Sequence, residues 1–117
     1  MREVTLLGQA VNRWRSTARS FADLLGLVAS VPGIARVRFM SPHPLHLDEA
    51  VCRAMAENPK VCPALHLPAQ SGSDRVLELM RRGYTRAGFL EKVAMARRLV
   101  PGLTVTTDLL LGFPSET

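Results

Sequence analysis

The sequence predicts an α/β protein: parallel strands with covering helices and a single ligand-binding rim. Three observations carry that prediction. The first is the order of periodic segments, β-α-β-α-β-α-α-β, in which short apolar runs alternate with helical stripes. Strands separated by helices pair in parallel through right-handed crossovers. The second is that four polar, Gly- or Pro-bearing clusters each follow a strand: Gly8-Gln9 with Asn12, Ser41 to Pro44, Pro68 to Ser73, and Gly112 to Glu116. Parallel strands bring such clusters to one edge, the carboxyl rim where α/β barrels and doubly wound sheets bind ligands. The third is size. With 117 residues, 47% of them apolar, the chain suits one globular domain with a real core.

Each element follows from local pattern. Val4 to Leu7 is a short strand ended by Gly8, and Gln9 to Arg15 is polar and loop-like. Ser20 with Asp23 forms a capping-box pattern ahead of a helix whose apolar positions are Phe21, Leu24, Leu25, Val28 and Val31. Pro32-Gly33 stops it. Ile34 to Met40 is the second strand, with Val37 and Phe39 on one face and Arg36 and Arg38 on the other. Two prolines stiffen Ser41-Pro42-His43-Pro44. Leu47, Val51 and Met55 make one helical stripe, closed by Asn58-Pro59.

Cys62 to Leu67 is the third strand. It runs into His66-Leu67-Pro68-Ala69-Gln70-Ser71-Gly72-Ser73-Asp74, a strand-to-helix junction whose backbone N–H groups can face a ligand, or whose Ser73 or Asp74 can simply cap the helix. Val76, Leu77 and Met80 line that helix, with Glu78 and Arg82 spaced to pair on its surface. Gly83 fits its C-terminal cap. Thr85 caps a further helix carrying Phe89, Leu90, Val93, Ala96 and Val100. Leu103 to Leu111 is the last strand, where Asp108 is a carboxylate among apolar neighbours and needs a partner.

A net charge of +5 favours anionic partners, RNA among them, although the arginines are scattered. No apolar run reaches the roughly 18–20 residues a bilayer span needs, and Met1-Arg2-Glu3-Val4 is no signal peptide, so the expected location is cytoplasmic. Cys52 and Cys62 have neither disulfide nor metal-ligand spacing and read as small buried residues. No metal ligands are expected. The sequence stops after a strand with no helix to cover it, and four strands are part of a barrel; a fragment of a larger enzyme is therefore expected.

The rim motifs are specific. Thr5-Leu6-Leu7-Gly8-Gln9-Ala10-Val11-Asn12, Ser41-Pro42-His43-Pro44, the His66–Asp74 segment, Met80-Arg81-Arg82-Gly83-Tyr84-Thr85 and Asp108-Leu109-Leu110-Leu111-Gly112-Phe113-Pro114-Ser115-Glu116-Thr117 occur in order along the chain. Together they resemble successive motifs of the radical S-adenosylmethionine methylthiotransferases. Within that family the Ser-Pro-His-Pro and Gln-Ser-Gly-Ser-Asp segments are most similar to the branch that acts on isopentenyl-adenosine beside the tRNA anticodon. The threonylcarbamoyl-adenosine branch shares Gln-Ser-Gly-Ser and ranks second.

The resemblance implies a partial TIM-like (β/α) barrel of the radical SAM type. Its cofactors are S-adenosylmethionine and two [4Fe–4S] clusters, its substrate is tRNA, and it draws on a reductant protein. A reduced cluster cleaves S-adenosylmethionine to a radical that takes hydrogen from adenine; the second cluster handles sulfur, and another S-adenosylmethionine gives the methyl group. The cofactors perform that chemistry and the protein orients them.

By motif position the resemblance assigns Gly8, Gln9, Asn12, Ser41, Gln70, Ser71, Arg82, Asp108 and Gly112 to the cofactor. Gly8-Gln9 falls near its amino group, Arg82 near its carboxylate and Gly112 near its adenine. His43 and Trp14 are expected substrate contacts, the latter by stacking on a base. No catalytic residue is assigned. Ala10 stands where the family commonly has Asn, and Ser115 where it commonly has Gly. The family's Cys-x-x-x-Cys-x-x-Cys is absent from residues 1–117, which as they stand are expected to be a barrel segment, inactive alone, lacking the cluster-binding portion and the RNA-binding module. Two other classes remain open at this point: a basic nucleotide- or RNA-binding α/β module without redox chemistry, and a noncatalytic structural fragment.

Overall fold

Alternation along the strands sorts their side chains between a helix-covered face and an open one. A computed structural model describes residues 1–116. In it the chain runs β1 (Glu3–Leu6), β2 (Arg15–Ser16), β3 (Arg19–Ser20), α1 (Phe21–Ala29), β4 (Arg36–Phe39), α2 (Glu49–Glu57), β5 (Ala64–His66), α3 (Asp74–Leu79), α4 (Arg86–Leu99) and β6 (Thr104–Thr106). β1 pairs in parallel with β4, and β5 with β6. A parallel bridge between Val37 and Val61 joins the two pairs. There Val37 N–H donates to the Lys60 carbonyl at 2.7 Å and Cys62 N–H to the Val37 carbonyl at 3.0 Å. The parallel order β1-β4-β5-β6 follows the chain, as in a segment of a (β/α) barrel.

The covered face is the core. Val37, Phe39, Leu65 and Leu67 are buried there against Phe21, Leu25 and Ala29 of α1, Val51, Cys52 and Met55 of α2, and Ala96 of α4. Phe21 meets Phe39 edge-to-face, with ring centroids 5.2 Å apart, an arrangement the ring quadrupoles favour. The alternate residues Glu3, Arg36, Arg38, Thr104 and Thr106 are exposed on the opposite face. There Glu3 shares its carboxylate between Arg36 (2.8 Å) and Arg38 (3.3 Å).

Helix starts follow the capping chemistry. Ser20 and Asp23 form the expected reciprocal box on α1, and the hydrogen bonds from the Ser20 backbone and hydroxyl hold the Asp23 carboxyl below its usual pKa. Asp48, Ser73 and Thr85 accept the corresponding N–H bonds on α2, α3 and α4.

Several expectations are corrected. The last strand covers only Thr104–Thr106, plus one bridge from Leu109 to Gln70, instead of residues 103–111. Leu109, Leu110 and Leu111 are exposed, because no element among the described residues packs over them. The polar stretch before α1 contains an antiparallel hairpin, β2 with β3, and a 3-10 turn at Val11–Arg13. Val31 and Leu90 fit the apolar stripes yet are exposed; Val31 lies past the end of α1. Cys52 is buried as expected, and burial pushes its thiol pKa up to about 11, whereas Cys62 is only half-buried.

Candidate functional site

The rim clusters are tied to one another in sequence order. Between the first and second, the Val11 N–H donates to the Ser41 carbonyl at 3.2 Å. Asn12 donates through Nδ2 to the His43 carbonyl (3.0 Å) and accepts from the His43 N–H (2.8 Å). The second cluster reaches the third through Tyr84, whose ring lies edge-on to His43 with centroids 5.8 Å apart. The Tyr84 hydroxyl sits 2.9 Å from the Ala69 carbonyl and 3.2 Å from that of Pro68. The third cluster is bonded to the stretch that leads into the fourth: the Gln70 N–H donates to the Asp108 carbonyl (2.9 Å), and the Leu110 N–H to the Gln70 carbonyl (2.8 Å). Arg75, at the start of α3, donates to the Ser115 carbonyl at 2.6 Å.

Backbone strain gathers on the same rim. Five described non-glycine residues have positive φ; four are Ala10 (47°), Ser41 (59°), Gln70 (70°) and Ser115 (70°), one in each cluster, and the fifth is Arg81 (55°), just past α3. Each such residue costs about 1–2 kcal/mol. Conformations of this kind persist only where the surroundings over-determine them, and they concentrate at ligand sites.

On the open face, just below the rim, His66 bridges β5 to the strand beside it. Its Nδ1 lies 2.8 Å from Thr106 Oγ1 and its Nε2 3.0 Å from Asp108 Oδ2. An ionised carboxylate only accepts, so Nε2 carries the proton and the Thr106 hydroxyl donates to Nδ1 when the ring is neutral. Arg38, His66, Thr104 and Thr106 border a pocket of about 200 Å³ on this face. Asp108 is therefore partnered as its chemistry requires, but it is not buried: 69% of its side chain is exposed. The polar face of the strand is open to solvent, which the apolar neighbours in sequence do not reveal.

The expected site residues are not all brought to one place. Gly8, Gln9 and Trp14 line one hollow at the first loop, while Gln70, Ser71 and Asp108 come together where β5 and β6 end. Ser71 is buried, and its Oγ accepts the Ser73 N–H at 3.1 Å. Gly112 turns the last cluster with φ 76° and is exposed. Asn12 is different. It is fully buried and its amide is committed to the His43 backbone at both ends, so here it ties loops together. Ser41 contributes its carbonyl to the same tie.

Arg82 and His43 meet at Tyr84. Arg82 does not pair with Glu78 as the helical spacing suggests; it donates through Nε to the Tyr84 hydroxyl at 3.2 Å and lies 5.5 Å from the ring centroid. His43 Nδ1 accepts the Leu45 N–H at 3.1 Å, which requires an unprotonated Nδ1. Burial, then the charge of Arg82, then His46, lower the His43 pKa below its usual value.

Sequence reasoning singled out neither His66 nor Tyr84. His66 had one usable signal: alternation opposite Leu65 puts it on the same open face as Thr106 of the neighbouring strand. Tyr84 lies in the Met-x-Arg-x-Tyr segment, which drew notice only for its arginine.

The donor set suits an amino-acid nucleoside such as S-adenosylmethionine. Asp108 and the Gln70 carbonyl group accept hydrogen bonds from hydroxyl or ammonium groups, and the Arg82 guanidinium is a fork for a carboxylate. An iron–sulfur cluster does not fit these residues. Cys52 is buried with a raised pKa, and no group of three or more metal-ligating side chains exists among the described residues.

Relatives agree in kind. The chain is 46% identical over 121 residues to a tRNA-2-methylthio-N(6)-dimethylallyladenosine synthase of Helicobacter pylori, covering 98% of this chain and 28% of that protein. It is 43% identical, with the same coverage, to the synthase of that name from a Nitratiruptor species. The corresponding protein of Wolinella succinogenes is 46% identical over 122 residues, covering 99% of this chain and 28% of its own length. The chain thus spans little more than a quarter of the curated relatives it matches. S-adenosylmethionine and a [4Fe–4S] cluster are the cofactors that radical SAM chemistry implies. With the family model matching residues 3–117, this chain belongs to the Radical SAM superfamily.

Proposed function

We propose that this chain is part of the radical SAM barrel of a tRNA methylthiotransferase, acting on isopentenyl-adenosine beside the anticodon. The observation that carries the reading is identity of 43–46% across 98% of the chain to synthases of that name. The four tied rim clusters are its structural support. In this reading Gln70, Ser71 and Asp108 hold the nucleoside portion of S-adenosylmethionine, Arg82 its carboxylate, and Gly8-Gln9 its amino group, with Gly112 beside the adenine. His43 and Trp14 face the RNA. When bound, S-adenosylmethionine supplies the one-electron chemistry and the methyl group; the protein binds, orients and excludes water. The residues that hold both clusters, the RNA-binding module and the docking site for the reductant belong to other parts of the protein, and the reaction takes place in the cytoplasm. Among the described residues no helix is long and apolar enough to cross a membrane.

The test is complementation. The full gene containing this segment is expressed in a bacterium lacking its own methylthiotransferase, and tRNA nucleosides are analysed by mass spectrometry. Appearance of the 2-methylthio derivative of isopentenyl-adenosine is expected. Methylthiolation only of threonylcarbamoyl-adenosine would reassign the substrate, and no methylthiolated nucleoside would overturn the reading.

A further inference from the structure

The geometry points to Tyr84 as a positioning residue for the cofactor loop, acting through the backbone of Gln70 and the orientation of Arg82. Gln70 is held in the left-handed region at φ 70°, where a side chain with a Cβ is strained. Its own N–H and carbonyl are fixed from the β6 side by Asp108 and Leu110. On the other side, the two carbonyls that precede it, Pro68 and Ala69, converge on the Tyr84 hydroxyl. A phenol has one proton and accepts as well. Here it donates to Ala69 and accepts from Arg82 Nε at 3.2 Å.

The same side chain therefore shapes the loop and sets the arginine. Binding through Nε holds the guanidinium beside the phenol and leaves its terminal nitrogens as a fork. Among the described residues no carboxylate occupies that fork. The ring is steadied by His43 and by Phe89 of α4, 6.2 Å away. Tyr84 thus joins the second cluster, the third cluster and α4, which neither Gln70 nor Arg82 does alone.

This inference rests on the reading that the Gln70 loop holds S-adenosylmethionine, and the experiment separates the two. The full-length, cluster-reconstituted protein is prepared as wild type, Tyr84→Phe, Gln70→Ala and the double variant. Dissociation constants for S-adenosylmethionine come from anaerobic equilibrium dialysis. Backbone protection comes from hydrogen exchange read by mass spectrometry, and folding is checked by thermal melting. Loss of one hydrogen bond near the ligand is expected to weaken binding about three- to tenfold in Tyr84→Phe. The double variant should lose less than the product of the two single factors, because part of the Tyr84 effect passes through the Gln70 loop. The amides of Gln70 and Leu110 should exchange faster in Tyr84→Phe, while that of Leu67, bonded to the Thr106 carbonyl at 2.8 Å, keeps its protection. If Gln70→Ala weakens binding but Tyr84→Phe does not, or adds its full factor in the double variant, Tyr84 is only a packing residue and the inference fails. If Gln70→Ala leaves binding unchanged, the cofactor reading of the loop fails first.

Discussion

The two faces of the sheet are built from alternate residues of the same strands, yet they are held by different forces. On the covered face Val37, Phe39, Leu65 and Leu67 are buried among helix side chains, and each such burial contributes about 1.5–3 kcal/mol. On the open face Glu3, Arg36, Arg38, His66 and Asp108 are linked by ion pairs and hydrogen bonds between side chains that remain partly or mostly exposed. Exposed pairs of this kind contribute only about 0–1 kcal/mol. One face supplies the stability and the other is free to carry chemistry.

The largest expected effect would break this comparison most directly. Leu65→Ala, on the covered face, should destabilise the protein by about 2–5 kcal/mol in urea unfolding. A loss as large from Ala at the adjacent His66 would mean that the open face is structural too. Next is Asp108→Asn, which should leave stability within about 0.5 kcal/mol but weaken S-adenosylmethionine binding about tenfold, a difference of about 1.4 kcal/mol. Unchanged binding by equilibrium dialysis would remove Asp108 from the cofactor site.

A smaller effect tests the strained rim that joins the faces. The two departures from the family's usual residues, Ala10 and Ser115, both sit at positive φ. Asn tolerates that region through local hydrogen bonding, and Gly lacks the clashing Cβ. Ala10→Asn and Ser115→Gly should each raise stability by about 0.5–1 kcal/mol, and the gains should add if the two loops are independent. Thermal melts that fall instead would mean the backbone at these sites is not under strain.

The smallest effect is at His43. Its pKa is lowered in the folded state by burial, by Arg82 and by His46, so the unfolded chain takes up the proton more readily. Its contribution to stability is therefore complete above about pH 6.5 and is lost as pH falls toward the folded-state value. His43→Asn, which can still accept the Leu45 N–H, should flatten the acid side of the stability–pH curve. An unchanged acid slope would show that other groups control it.

Much of this was legible in the sequence because its causes are local. The Ser20–Asp23 box, the stop at Pro32-Gly33, the split of Val37 and Phe39 from Arg36 and Arg38, and the rim position of the four clusters all depend on neighbours a few residues away. The length of β6 was not legible, because an apolar run reads as a strand whether or not another element comes to pair with it. Asn12 has a polar side chain in a rim loop like Gln70, and nothing in its immediate surroundings distinguishes a loop tie from a ligand contact.

By itself, then, the sequence determined the order of elements, the helix caps, the face each strand residue takes and the edge where the loops gather, because periodicity and capping act over one or two turns of chain. Tertiary structure alone decided that His66 meets Asp108, that Asn12 closes on the His43 backbone, and that Tyr84 reaches the Ala69 carbonyl. Those partners lie 42, 31 and 15 residues apart. A hydrogen bond is sharp in distance and angle, so its partner is fixed by strand register and helix docking, which no short stretch of sequence contains.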